Sequence, residues 1–98
     1  MEFAGFDWDD GNRAKCEKHG VSIATIESLF RRGLIVLPDD SHSLRERRFR
    51  AVGRSTDDRA VFVVFTLRER LGKKLIRPIS ARYMHRKEAE HYAKTYET

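Results

Sequence analysis

The chain has 98 residues, of which 20 are Lys or Arg and 15 are Asp or Glu, so its formal net charge is +5. This length suffices for one modest core, and we treat residues 1–98 as a single domain. The sequence has neither an apolar run near the roughly 20 residues of a membrane helix nor a cationic, apolar leader, so we expect no membrane association. A lone cysteine, Cys16, favours a reducing cytoplasm.

The basic residues are concentrated in one part of the chain. Residues 45–87 contain 14 Lys or Arg and 4 Asp or Glu, whereas the remainder contains 6 basic and 11 acidic residues. A basic region beside an acidic remainder indicates a surface that binds a polyanion. A solvated charged face is the alternative interpretation.

Two helices are predicted in the first third of the chain, after a short edge strand within residues 3–8. Asp9 or Asp10 can cap a helix that runs to about His19. Ser22 can cap a second helix, which Gly33 ends. Helical spacing predicts a buried stripe on this second helix, formed by Ile23, Ile26, Leu29 and Phe30.

The rest of the chain is rich in predicted strands. Short strands are expected at residues 34–37 and 47–53, and a hairpin that turns at Gly72 joins two further strands. Pro78 lacks an N–H group, so we expect a bulge or an edge position there. A terminal helix is predicted over residues 84–96. The order β-α-α-β-β-β-β-α indicates an α+β fold with about four antiparallel strands and helices on one face.

Metal and cofactor chemistry has little basis in this sequence. Cys16 and His19 have the spacing of half a zinc motif, but no second half follows. The sequence also lacks a glycine-rich phosphate loop. We therefore expect no metal and no cofactor.

The basic and acidic side chains of the predicted sheet suit RNA cleavage without a metal. His42 and Glu46 fall on the same side of the chain whether it is helical or extended. Either residue could be the base or the acid, and Arg48 and Arg82 could stabilise the charge on the phosphorane. A turn histidine and a surface salt bridge are the corresponding structural interpretations.

Geometry limits how these residues can cooperate. In the predicted hairpin, Arg68 lies near the turn and Arg82 near the far end, about 20–25 Å away at about 3.4 Å per residue. Glu46 is expected at the Arg68 end, whereas Arg54 and Arg59 are expected near Arg82. Either the active centre lies at one end, or the sheet binds several nucleotides along its length.

Six short motifs then resemble a known family. They are Phe6-Asp-Trp-Asp, Lys18-His-Gly-Val-Ser22, His42-Ser-x-x-Glu46-x-Arg48, Val52-Gly-Arg-Ser55, Val64-Phe-Thr-x-Arg68 and Ile79-Ser-Ala-Arg82. In this order they resemble the BrnT toxins, small ribonucleases of type II toxin–antitoxin systems that are related in fold to the RelE toxins.

The resemblance implies a RelE-like fold and a metal-independent ribonuclease that inhibits translation. It also implies a ribbon-helix-helix antitoxin, which would bind operator DNA together with the toxin. The candidate catalytic residues are His42, Glu46, Arg48 and Arg82, and the candidate RNA-binding residues are Lys18, His19, Arg50, Arg68 and Arg77.

Two other functions remain open on sequence grounds. The basic face could belong to a non-catalytic module that binds RNA or DNA, or it could bind an acidic partner protein. An antitoxin could cover a groove with a helix or add a strand to a sheet edge.

Overall fold

The computed structural model describes residues 2–38 and 46–97. Its elements are β1 (Gly5–Phe6), α1 (Asp10–Glu17), α2 (Ile23–Arg32), β2 (Ile35–Pro38), β3 (Arg48–Arg54), β4 (Ala60–Arg70), β5 (Lys73–Tyr83) and α3 (Arg86–Tyr96). The predicted element order and the α+β class are confirmed. Residues 39–45, which include His42, lie outside the described part of the chain.

The sheet has five strands in the order β1-β5-β4-β3-β2. β2 to β5 pair antiparallel, as expected, but β1 pairs parallel with β5 through Gly5 and Phe6. The short edge strand predicted within residues 3–8 is therefore present, but it joins the sheet in parallel, so the sheet is mixed and has five strands rather than about four antiparallel ones.

The helix boundaries follow local capping chemistry. Asp9 caps α1 by accepting from the Asn12 N–H at 3.1 Å, and the Asn12 side chain accepts from the Asp9 N–H at 2.7 Å. Ser22 Oγ accepts from the Thr25 N–H at 3.1 Å and caps α2. α1 ends at Glu17, two residues before the predicted end, and Gly20 follows with a φ of 85°.

The main core lies between α1, α2 and one face of the sheet, which we call the helix face. Phe65 of β4 is fully buried there and contacts the rings of Phe30 and Phe49, with centroids 5.0 and 5.4 Å away. Ile26 and Leu29 are also fully buried, which confirms the central part of the predicted α2 stripe. Burial of one such side chain contributes about 1.5–3 kcal/mol.

The β4–β5 hairpin aligns the residues of both faces. Its turn consists of Leu71 and Gly72, both with positive φ, as expected for the tight turns that suit hairpin twist. The register shifts at Pro78, since Val64 pairs with Ser80 and Phe65 pairs with Pro78. This confirms the predicted bulge, which leaves one extra residue in β5.

The opposite face of the sheet, which we call the arginine face, follows from the strand registers. Because opposed residues point to the same side, Val52, Phe62 and Arg82 share this face, and Arg54 opposes Ala60 on it. Within the described strands, register places seven arginines on the arginine face: Arg48, Arg50, Arg54, Arg68, Arg70, Arg77 and Arg82.

The terminal helix α3 packs on the arginine face, although the sequence predicted all helices on one face. Glu88 near its start binds Arg82, and Glu97 just after its end binds Arg54. Tyr92 is only 6% exposed but is not part of the main core cluster. The spacing of apolar residues along a helix can indicate that one side is buried, but it cannot indicate which face of the sheet receives that side.

Candidate functional site

A cavity of about 430 Å³ opens at the end of the sheet where β4 begins and β5 ends. We call it the histidine cavity, and its lining residues are His19, Arg59, Arg82, Tyr83, Met84 and His85. They come from the turn after α1, the start of β4 and the segment from β5 into α3. The cavity therefore exists only where three segments distant in sequence meet.

Arg82 reaches the cavity from β5 and is fixed by two kinds of contact. Its Nη1 and Nη2 atoms donate to Glu88 Oε1 and Oε2 at 2.8 and 2.9 Å. Its guanidinium carbon also lies 4.9 Å from the centroid of the Phe62 ring. Paired hydrogen bonds of this kind restrict the guanidinium to one orientation.

Glu88 is held in its charged form by these contacts. The Arg82 side chain and then the His85 N–H, which donates at 3.0 Å, lower the pKa of Glu88 to about 2. The same carboxylate raises the pKa of Arg82. At neutral pH Arg82 is thus a cation whose hydrogen-bonding edge is occupied by a carboxylate of α3.

Arg59 reaches the cavity immediately before β4. Its guanidinium carbon lies 3.6 Å from the centroid of the Tyr83 ring. Its backbone is fixed by Ser55, whose N–H donates to the Arg59 carbonyl at 2.9 Å and whose hydroxyl accepts from the Arg59 N–H at 3.1 Å. Within residues 2–38 and 46–97, Arg59 forms no ion pair.

The two histidines lie next to helix ends, His19 after the end of α1 and His85 before the start of α3. His19 lies in the exposed turn between α1 and Gly20. His85 is the residue before α3, with extended backbone, rather than a residue of its first turn as the sequence suggested. Imidazole is the side chain that most often transfers protons in enzymes, and guanidinium groups bind phosphate. The cavity therefore combines groups for both tasks.

A second charged cluster lies at the other end of the hairpin. Arg68 donates from Nε and Nη2 to Glu46 at 2.8 and 2.9 Å, so the predicted neighbourhood of these residues is confirmed. Arg82 pairs with Phe62, six residues before Arg68 on β4, which separates the two arginines by about 20 Å along the strand. No single phosphate can contact both.

The other predicted RNA-binding residues are distributed around these two ends. Arg77 contacts Asp9 at 2.9 Å and Asp7 at 3.5 Å, so carboxylates already balance its charge. Arg50 is exposed on β3, and Lys18 is exposed beside His19. Of the sequence candidates that fall within the described residues, His19 and Arg82 are the two that line the histidine cavity.

Sequence reasoning did not select Arg59, Tyr83 or His85 as site residues. The hairpin register could have identified Arg59 and Tyr83, because Val61 at the start of β4 opposes Tyr83 at the end of β5. That register places Arg59, two residues before Val61, close to Tyr83. The approach of His19 could not be read from the sequence, since it depends on how α1 packs.

Two further observations concern other classes of site. Among the described residues, no three His, Cys, Asp or Glu side chains are grouped so that they could hold a metal ion. No helix within the same ranges is both long and apolar enough to cross a membrane.

The α+β domain has a sheet face lined with arginines and a cavity lined by histidines and arginines. These are side chains expected in a protein that acts on nucleic acid. The family model described as "Ribonuclease toxin, BrnT, of type II toxin-antitoxin system" matches residues 8–88. The chain therefore belongs to the BrnT family of ribonuclease toxins, and membership implies an RNA target and an antitoxin partner. A search of curated proteins found no match to this chain.

Proposed function

We propose that this chain is a metal-independent endoribonuclease that inhibits translation, and that its reaction centre is the histidine cavity. The observation that carries this proposal is the convergence of Arg59, Arg82, His19 and His85 on one concave site. The family of ribonuclease toxins supplies the reaction class.

The cavity has a group for each requirement of RNA cleavage through the 2′-hydroxyl. The hydroxyl must lose a proton as it attacks the phosphorus, and the 5′-oxygen must gain one as its bond to phosphorus breaks. His19 and His85 are suited to these transfers. Arg82 is suited to stabilise the additional negative charge of the phosphorane between them. The products would carry 2′,3′-cyclic phosphate or 3′-phosphate ends.

The remaining arginine face would bind nucleotides on either side of the cleaved bond. Arg48, Arg50 and Arg68 lie on this face, toward the hairpin turn. Phosphate contacts of this kind fix the register of a nucleic acid and contribute affinity that depends on salt. In this arrangement Glu46 orients Arg68, and its assignment as a catalytic residue stays a prediction, as does that of His42.

The decisive experiment is incubation of antitoxin-free protein with RNA in EDTA, followed by analysis of the fragment ends. We expect cyclic phosphate or 3′-phosphate ends, and we expect Arg82→Ala to abolish them. Arg86→Ala is a matched control, because Arg86 is 92% exposed and pairs only with Glu90 among the described residues. Glu46→Gln tests the other end of the hairpin, where unchanged cleavage would remove Glu46 from the catalytic candidates.

A non-catalytic module that binds RNA or DNA is the second candidate, favoured by the row of arginines across the sheet. Intact RNA that is nevertheless bound, with affinity falling steeply as salt rises, would favour it. RNA on translating ribosomes should be tested in parallel, since cleavage only there would identify a ribosome-dependent toxin. RNA that the protein neither binds nor cleaves would point instead to an acidic protein partner.

We also propose the finer family properties for this chain: a RelE-like fold, a cytoplasmic location and neutralisation by a ribbon-helix-helix antitoxin. The toxin–antitoxin complex, rather than the toxin alone, would bind operator DNA. Coexpression with the product of a small neighbouring reading frame tests this. Copurification and loss of cleavage are expected, whereas full activity in the presence of that protein would contradict it.

A further inference from the structure

The contact between Arg59 and Tyr83 differs from the other arginine–aromatic contacts of the described chain. The guanidinium carbon lies 3.6 Å from the ring centroid, whereas the other four contacts range from 4.9 to 5.9 Å. The guanidinium nitrogens lie about 1.3 Å from that carbon, so a perpendicular guanidinium would press a nitrogen into the ring. The guanidinium must therefore lie nearly flat on Tyr83.

Both members of this stack are held in place. Tyr83 ends β5, pairs with Val61 and packs against the main core cluster. Arg59 is positioned through its backbone by Ser55, which is 2% exposed. One face of the guanidinium is thus supported by a fixed ring.

The charge of Arg59 also remains available for a ligand. Arg54, Arg68 and Arg82 each bind a glutamate through two nitrogens. Arg59 has no such carboxylate in the described residues, and Asp57, two residues earlier, directs its carboxylate to the Ser55 hydroxyl. The flat, exposed guanidinium lies in the wall of the histidine cavity.

We propose that Arg59, supported by Tyr83, is a stacking platform for an unpaired nucleobase of RNA bound at the histidine cavity. Arginine planes and aromatic rings are the surfaces on which proteins stack single-stranded bases. Stacking strength grows with the aromatic area of the base, so this platform favours a purine over a pyrimidine. The inference rests on the proposed function for the identity of the ligand, and it makes Arg59 a specificity residue.

The test measures binding rather than cleavage. The probes are short RNAs with a 2′-deoxy sugar at the cleavage position, which removes the nucleophile, and each carries either a purine or an abasic sugar beside it. We expect the abasic probe to bind the wild-type protein at least about fivefold more weakly, as the loss of one stacked base predicts. Arg59→Lys keeps the charge and removes the plane, so this difference should fall below about twofold while the salt slope is unchanged.

Two further variants isolate the platform. Tyr83→Phe keeps the supporting ring and should retain the abasic penalty, and Arg86→Lys, a charge-conserving change outside the cavity, should leave it unchanged. An Arg59→Lys protein with the full wild-type penalty would overturn the inference and reduce Arg59 to a phosphate contact. A wild-type protein that shows no abasic penalty but cleaves RNA normally would refute the platform alone. A normal wild-type penalty without cleavage of unmodified RNA, either free or on translating ribosomes, would keep the platform and refute the ribonuclease.

Discussion

Glu88 occupies the edge of Arg82 that a phosphate would need, so removing its charge should strengthen RNA binding. The carboxylate accepts from both terminal nitrogens of Arg82, at 2.8 and 2.9 Å. Guanidinium binds phosphate with the same paired geometry, and the two anions therefore compete for one set of donors. Glu88→Gln keeps the size of the side chain and removes its charge.

The exposure of the pair sets the magnitude of this effect. Both side chains are 37% exposed, and partly exposed ion pairs contribute roughly 0.2–1 kcal/mol to stability. RNA that displaces Glu88 has to overcome that free energy, so the gain in affinity should be about 1.5- to 5-fold. The free energy of unfolding should fall by the same roughly 0.2–1 kcal/mol, because the pair joins α3 to the sheet.

The assay combines denaturant unfolding with binding of a 2′-deoxy, non-cleavable RNA and single-turnover cleavage. Glu90→Gln is the matched control, since it removes one charge from the same helix, where Glu90 pairs with Arg86, a residue that is 92% exposed and does not line the cavity. Equal gains in affinity for the two variants would attribute the effect to net charge and refute competition at Arg82. A Glu88→Gln protein that binds RNA normally but cleaves it more slowly would show that Glu88 orients Arg82 for catalysis instead.

Three further predictions concern stability and reactivity. Leu71 is fully exposed with a φ of 52°, so Leu71→Asn should stabilise the Leu71–Gly72 turn by up to about 1 kcal/mol in denaturant unfolding, and a decrease would refute strain there. Burial raises the pKa of Cys16 to about 11, so the folded protein at pH 8 should resist iodoacetamide until denaturant is added, and rapid labelling would contradict this burial. The lowered pKa of Glu88 means that its ionised carboxylate contributes stability that is complete above about pH 4.5 and is lost as the pH falls through about 2. The difference in unfolding free energy between the wild type and Glu88→Gln should therefore shrink over that range. A difference that stays constant would exclude this linkage.

Local chemistry explains which parts of the fold were predictable. Ser22 and Gly33 bound α2 because one supplies a capping oxygen and the other a positive φ, and both requirements can be read from single residues. Pro78 likewise indicates an interruption of the hydrogen bonding between strands, because it has no N–H group. Such features need only the few residues on either side.

The features that were missed depend on packing between distant segments. α3 has one buried tyrosine, Tyr92, whose position in the helix does not indicate which face of the sheet will receive it. The choice is made by ion pairs between Glu88 and Arg82 and between Glu97 and Arg54, whose partners are separated by 6 and 43 residues. The sequence contains many oppositely charged residues that could form such ion pairs, and only the strand register determines which of them meet.

The candidate site shows the same division. The hairpin register, predictable in outline, was enough to separate Glu46 and Arg68 from Arg82. The histidine cavity additionally required the turn after α1, which brings His19 to residues that follow β5. A site assembled at the junction of three segments has a chemical consequence: Arg82 comes from the rigid sheet, whereas the glutamate that neutralises it comes from a helix that contributes no residue to the main core cluster. The cation that would bind the cleaved phosphate is therefore fixed, and its competitor is carried by a helix that is held to the sheet by partly exposed ion pairs and by the buried Tyr92. Under the proposed function, a ligand that displaced α3 would free Arg82 to bind phosphate without disturbing the sheet.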